Sequence, residues 1–127
     1  RSSDLAPVLD AVGLEFLAGI LEVEVARHPE NLPALVELGH VYTRAKQFEE
    51  GLAVDQELVQ RAPNDSTVRY NLACSLALLG RTEEALDALE KAVALGYEDP
   101  EHLLADPDLA SLREEARFQG IVRKLAH

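Results

Sequence analysis

Leu35-Val36-Glu37-Leu38-Gly39-His40-Val41-Tyr42 and Arg69-Tyr70-Asn71-Leu72-Ala73-Cys74-Ser75-Leu76 are one pattern written twice, 34 residues apart. Leu38-Gly39 aligns with Leu72-Ala73, and Tyr42 with Leu76. Pro29 and Pro63 keep the same 34-residue step. Phe48 and Gly51 follow the first copy; Gly80, Ala85, Leu89 and Ala92 follow the second. Apolar and small residues recurring with this period describe a helix–turn–helix unit that cannot bury its apolar face alone and must stack on a neighbour. Such a stack works by presenting a surface to another molecule.

The punctuation around the two copies sets the elements. Leu14, Leu17, Ile20, Leu21 and Val25 recur at helical spacing, so residues 5–27 read as a helical segment, with an interruption expected at Gly13. It stops near His28-Pro29, because proline disfavours helical geometry in the residue before it. Asn31 and Pro33 open the next helix as cap and first-turn residue. Its partner runs from about Glu49 to Arg61, and the second pair starts at Asp65-Ser66 and restarts at Thr82-Glu83-Glu84, with Thr82 expected to cap. Gly96 ends that helix in a left-handed conformation. Asp99-Pro100 and Asp106-Pro107 each combine a cap with a first-turn proline and start two short helices. Small residues carry the packing: Gly39 and Ala73 are expected where helices nearly touch, and Ala88 on an outer face.

This skeleton resembles the tetratricopeptide repeat. Leu35, Leu38, Gly39, Tyr42, Phe48 and Pro63 fit that family's pattern in the first unit. Leu72, Ala73, Leu76, Gly80, Ala85, Leu89 and Ala92 fit it in the second. Asp55 and Leu58 depart from it, which points to unusual packing of the first unit's second helix, and Arg69 replaces an apolar residue at the start of the second unit. The resemblance implies an all-α fold, a right-handed superhelical stack of antiparallel helix pairs forming an α-solenoid of about two and a half repeats. The chain is then a single domain: an N-terminal helical segment (5–27), repeat 1 (32–65), repeat 2 (66–99), and a degenerate repeat of capping helices (100–127). The tail resembles the ending of many bacterial repeat proteins. Leu109, Leu112 and Phe118 are expected to cover the open end of the Thr82–Leu95 helix, since a repeat stack needs an end piece with one polar face.

Composition narrows the partners. The net charge of −11 repels nucleic-acid backbones and anionic membranes, so neither is expected as a partner. The stretch from Leu5 to Leu21 is broken by Pro7, Asp10 and Glu15 and falls short of a transmembrane span, which needs about 20 apolar residues. A single cysteine, Cys74, excludes an internal disulfide and suits a cytoplasmic location. The start at Arg1, with no methionine, points to a piece of a longer protein.

The resemblance also implies where a partner binds. In the family, the first helix of each unit lines a concave groove, which here places Val36, Glu37, His40 and Arg44 in one unit and Tyr70, Asn71 and Cys74 in the next. Asn71 matches a position that often bonds a bound peptide's backbone. The clamp that grips a C-terminal carboxylate is not reproduced: Val36 and His40, then Glu101 and Ala105, stand where its other groups would, and only Asn71 fits. His40 and Cys74 occupy equivalent positions, but two ligands make a poor zinc site, so no metal is expected. Glycine-rich phosphate loops, nucleophile elbows and His-Glu-x-x-His are all missing, so neither enzymatic activity nor a cofactor is expected. Glu49-Glu50, Glu83-Glu84 and Glu114-Glu115 read as solvated pairs, and Arg113, Arg117, Arg123 and Lys124 as a solvated basic face. The expected function is a protein- or peptide-binding adaptor or scaffold; the alternatives are self-association into a homo-oligomer and an accessory domain of a larger enzyme or signalling protein. An apolar stripe left open on Leu14–Arg27 would favour self-association.

Overall fold

A computed structural model describes the backbone of residues 2–127 and the side chains from Asp10 onward. Among the described residues every regular element is helical, as the repeat pattern requires. The elements are α1 (Ser2–Arg27), α2 (Leu32–Arg44), α3 (Phe48–Arg61), α4 (Ser66–Leu78), α5 (Thr82–Ala94), α6 (Pro100–Ala105), a 3₁₀ segment (Pro107–Leu112) and α7 (Ala116–Ala126). They divide into two compact units, Arg1–Val54 and Asp55–His127, with the boundary inside α3.

Three helices end the same way. After α2, Lys46 N–H donates to Thr43 O and Gln47 N–H to Tyr42 O. Gly80 and Arg81 repeat this with Ala77 and Leu76, and Gly96 and Tyr97 with Val93 and Ala92. This double bond pattern satisfies the last carbonyls and needs a left-handed residue at its centre. Gly80 and Gly96 supply it with φ of 75° and 116°, whereas the first turn forces Lys46 to φ 62°. At the helix starts, the Asn31, Asp65, Asp99 and Asp106 carboxyl or amide oxygens accept backbone N–H groups as expected. Thr82 does not cap: it is the first helical residue, and Arg81 precedes it without a side-chain cap bond.

In the first unit α1 is continuous through Gly13. A lone glycine costs a helix only about 1 kcal/mol against alanine, too little to break one this long. Its inner side carries Ala18 with half-buried Leu14, Leu17, Leu21 and Val25. On α2, Leu35, Leu38 and Val41 are buried. Polar ties join the two: Asn31 Nδ2 donates to Glu24 Oε2 at 3.0 Å, and the Tyr42 hydroxyl donates to the Glu22 carboxylate. Gly51 lies so close to α2 that a Cβ there would sit 3.2 Å from Thr43 Oγ1 and 3.8 Å from Gly39 O. Gly39 and Gly51 therefore mark where α2 and α3 approach.

In the second unit α4 lies against α5. Ala73, Ala85, Leu86, Leu89 and Ala92 lose all contact with solvent, and Ala88 is buried with them. The outer-face assignment of Ala88 is thus corrected: α5 buries positions 85, 86, 88, 89 and 92, a wider arc than one groove needs, because α7 and the 3₁₀ segment also pack on it. Asp55, anomalous in sequence, is buried and accepts a 2.5 Å hydrogen bond from Ser75 Oγ. The tail closes the unit with Leu103, Leu109, Leu112 and Phe118 buried. Arg117 fixes α7 to α5 by bonding Glu83, Asp87 and Glu90. These pairs are exposed and carry specificity of placement more than stability.

Candidate functional site

The residues expected to meet a partner separate into two kinds. On α2, Val36 is half-buried and Glu37, His40 and Arg44 are exposed. These four follow one side of the helix, opposite buried Leu35, Leu38 and Val41. On α4, Asn71 is half-buried, and its amide has no hydrogen-bond partner among the described residues. Tyr70 and Cys74 differ from expectation: they are 6% and 8% exposed. The reason is the tail, which lays the 3₁₀ segment over this side of α4.

Asp106 organises that cover. Its Oδ1 accepts Asp108 N–H at 3.0 Å and so caps the 3₁₀ segment. Its Oδ2 accepts the Tyr70 hydroxyl at 2.6 Å, with Cys74 Sγ at 3.8 Å and His102 Nε2 at 3.6 Å. Tyr97 stacks on the Tyr70 ring with centroids 4.6 Å apart and planes 13° from parallel, and the His102 ring tilts against Tyr70 at 5.5 Å. Arg113 Nη2 donates to Asp106 O at 3.1 Å. One aspartate therefore both starts a helix and ties down α4. Burial, and then the bond to Asp106, pushes the Tyr70 phenol far above its ordinary value. Burial raises Tyr97 to about 12.

The sequence marks Asp106 only as a cap. Its second oxygen was not legible, because the contact with Tyr70 spans 36 residues and depends on how the tail folds back. Cys74, Asp106 and Asp108 bring three donor atoms within 4.8 Å of one another. They suit a metal poorly. The Asp106 carboxylate is already engaged by Tyr70 and a backbone amide, and burial followed by the neighbouring carboxylates raises the Cys74 thiol, opposing the thiolate that zinc takes. The cluster is a latch that holds the tail.

Comparison with known proteins agrees with the architecture. The tetratricopeptide repeat family profile matches residues 30–97, just over half of the chain. This chain is a tetratricopeptide-repeat protein. A chloroplastic protein of Arabidopsis thaliana is 30% identical to it over 89 residues, which is 68% of this chain and 27% of the plant protein. Solved structures of MamA share the fold. A point mutant of MamA superposes with a TM-score of 0.66 at 23% identity, covering 86% of this chain and 60% of that one. A crystal form of MamA AMB-1 gives 0.65 with the same identity and coverage. The repeat protein described here thus spans about a quarter of its plant relative and three fifths of MamA. No helix among the described residues is long and apolar enough to cross a membrane.

Proposed function

We propose that this tetratricopeptide-repeat protein is a non-enzymatic protein- or peptide-binding module, acting as an adaptor or scaffold. Its contact residues are Val36, Glu37, His40 and Arg44 on α2 and Asn71 on α4. Asn71 carries the reading: its amide offers two donors and an acceptor, is half-buried, and meets no partner within the chain among the described residues. A part-buried amide left in that condition suits the backbone of an extended ligand. Tyr70 and Cys74 serve indirectly, by holding α4 against the tail. The test is selection of ligands from a displayed random-peptide library, then affinities for His40→Ala, Asn71→Ala and the double variant. Weaker binding with an unchanged melting curve is expected; undiminished affinity in the double variant would reject the assignment.

A second reading, self-association, rests on apolar residues exposed on α1. Sedimentation at several concentrations separates it: a concentration-dependent dimer would favour self-association, and a monomer the peptide-binding reading.

A further inference from the structure

Helix α1 continues the 34-residue register backwards. Glu15, Glu49 and Glu83 are in step, and so are Ala18, Leu52 and Leu86, the last three all buried. Helix α1 is thus a counterpart of α3 and α5, the second helices of the two units. On their solvent side α3 and α5 carry charge: Glu50 and Glu84 at one step, Glu57 and Lys91 at another. At these steps α1 carries Phe16 and Val23. Phe16 is 71% exposed and Val23 is 52% exposed, with Val12 and Ile20 between and beyond them at 57% and 51%. Ile20 is in step with Val54 and Ala88, both buried. At Phe16 and Val23 the charged solvent face of this helix type is replaced by apolar residues, and Ile20 leaves open a position that α3 and α5 bury, so that α1 carries an open apolar stripe. Gly19 sits within it, where a Cβ would touch nothing within 4 Å, so the surface among Glu15, Phe16, Ile20 and Val23 is open.

Charge decides what covers it. At about 100° per residue, Glu15 and Glu22 border one edge of the stripe and Glu24 the other, with Arg27 at its end. A second copy laid antiparallel would set the Glu15 and Glu22 edge against itself. Laid parallel, it would set that edge against Glu24. Both arrangements oppose like charges. A helix from another protein, with an apolar stripe flanked by Lys or Arg, meets the same stripe with complementary edges. We infer that the Val12–Val23 face of α1 docks an amphipathic helix with basic flanks, on a surface separate from the α2 and α4 residues proposed above.

Phe16→Glu is the informative variant, because it restores the residue that α3 and α5 carry at this step and should leave folding intact. Fluorescence anisotropy is read with a labelled 18-residue model helix (its length in this design is approximate, about five turns) bearing a leucine stripe and lysine flanks. The intact chain is expected to bind it, with affinity falling as salt rises, and Phe16→Glu to weaken binding by about tenfold or more at an unchanged melting temperature. Asn71→Ala should leave this binding untouched, which separates the two surfaces. The inference is overturned if the peptide does not bind, if a scrambled peptide of the same composition binds equally well, or if Phe16→Glu has no effect. Concentration-dependent dimers of the intact chain, abolished by Phe16→Glu, would overturn it in favour of a second copy.

Discussion

Replacing Tyr70 by Phe isolates a single oxygen. The ring stays, and with it the stack on Tyr97 and the contact with His102. What disappears is a 2.6 Å hydrogen bond from the phenol to Asp106 Oδ2, a length typical of O–H donation to a charged carboxylate. Bonds to charged groups contribute about 1.5–3 kcal/mol net when their surroundings are dry. The Asp106 side chain is 12% exposed, so water can partly replace the lost donor, and the lower half of that range applies. The loss should be about 1.5–2.3 kcal/mol. With urea slopes of about 1–3 kcal/mol per molar, the unfolding midpoint falls by about 0.5–2.3 M, and the slope itself stays constant. Circular dichroism in urea reads both. A double-mutant cycle with Asp106→Asn adds the decisive number, because the two changes should be strongly non-additive if they remove one bond. A midpoint unchanged in Tyr70→Phe, or full additivity in the cycle, would refute the view that Asp106 latches the tail onto α4.

Other outcomes follow from the same structure. Phe118→Ala empties a position only 1% exposed and should cost about 3–5 kcal/mol by chemical denaturation, enough to populate partly unfolded chains; a loss under 1 kcal/mol would mean the tail is no cap. Ala73→Leu has no room beside α5 and should lower stability by about 1–3 kcal/mol, whereas Ala53→Leu, on the exposed side of α3, should change the melting curve little. Lys46→Gly relieves a left-handed backbone and should stabilise by about 1 kcal/mol, read as a raised melting temperature. Burial and the Glu22 carboxylate raise the Tyr42 phenol from its ordinary value of 10.0 to about 12, and burial raises Tyr97 likewise. The folded chain therefore keeps protons that the unfolded chain releases; this stability is complete below about pH 10 and lost between about pH 10 and 12. Melting temperature against pH checks it, and Tyr42→Phe with Tyr97→Phe should make that decline shallower, leaving the share that Tyr70 and Cys74 contribute.

Much of the molecule is settled by local chemistry and period. The 34-residue register of small and apolar residues, with Asn31, Asp65, Asp99 and Asp106 as caps and Gly80 and Gly96 as terminators, specifies helices, their ends and their inner faces. These features act over one or two helical turns, so a sequence displays them directly. Gly13 and Thr82 show the limit even there: a glycine's small helical penalty is absorbed by a long helix, and a threonine before two glutamates can be the first helical residue instead of the cap. The site is less legible. Tyr70 and Cys74 occupy first-helix positions that a partner could touch, yet the fold-back of the tail buries them under Asp106. Asp55 looks like a defect in the pattern until Ser75, 20 residues away, supplies its hydrogen bond. Ala88 is a core residue at a position that α3 also buries, as Val54. Phe16 and Val23 belong to an apolar run whose open face is visible only once α2 has taken the other side. Periodicity fixes which residues share a face of a helix; which face is covered depends on contacts between residues far apart in the chain, and those exist only in the folded molecule.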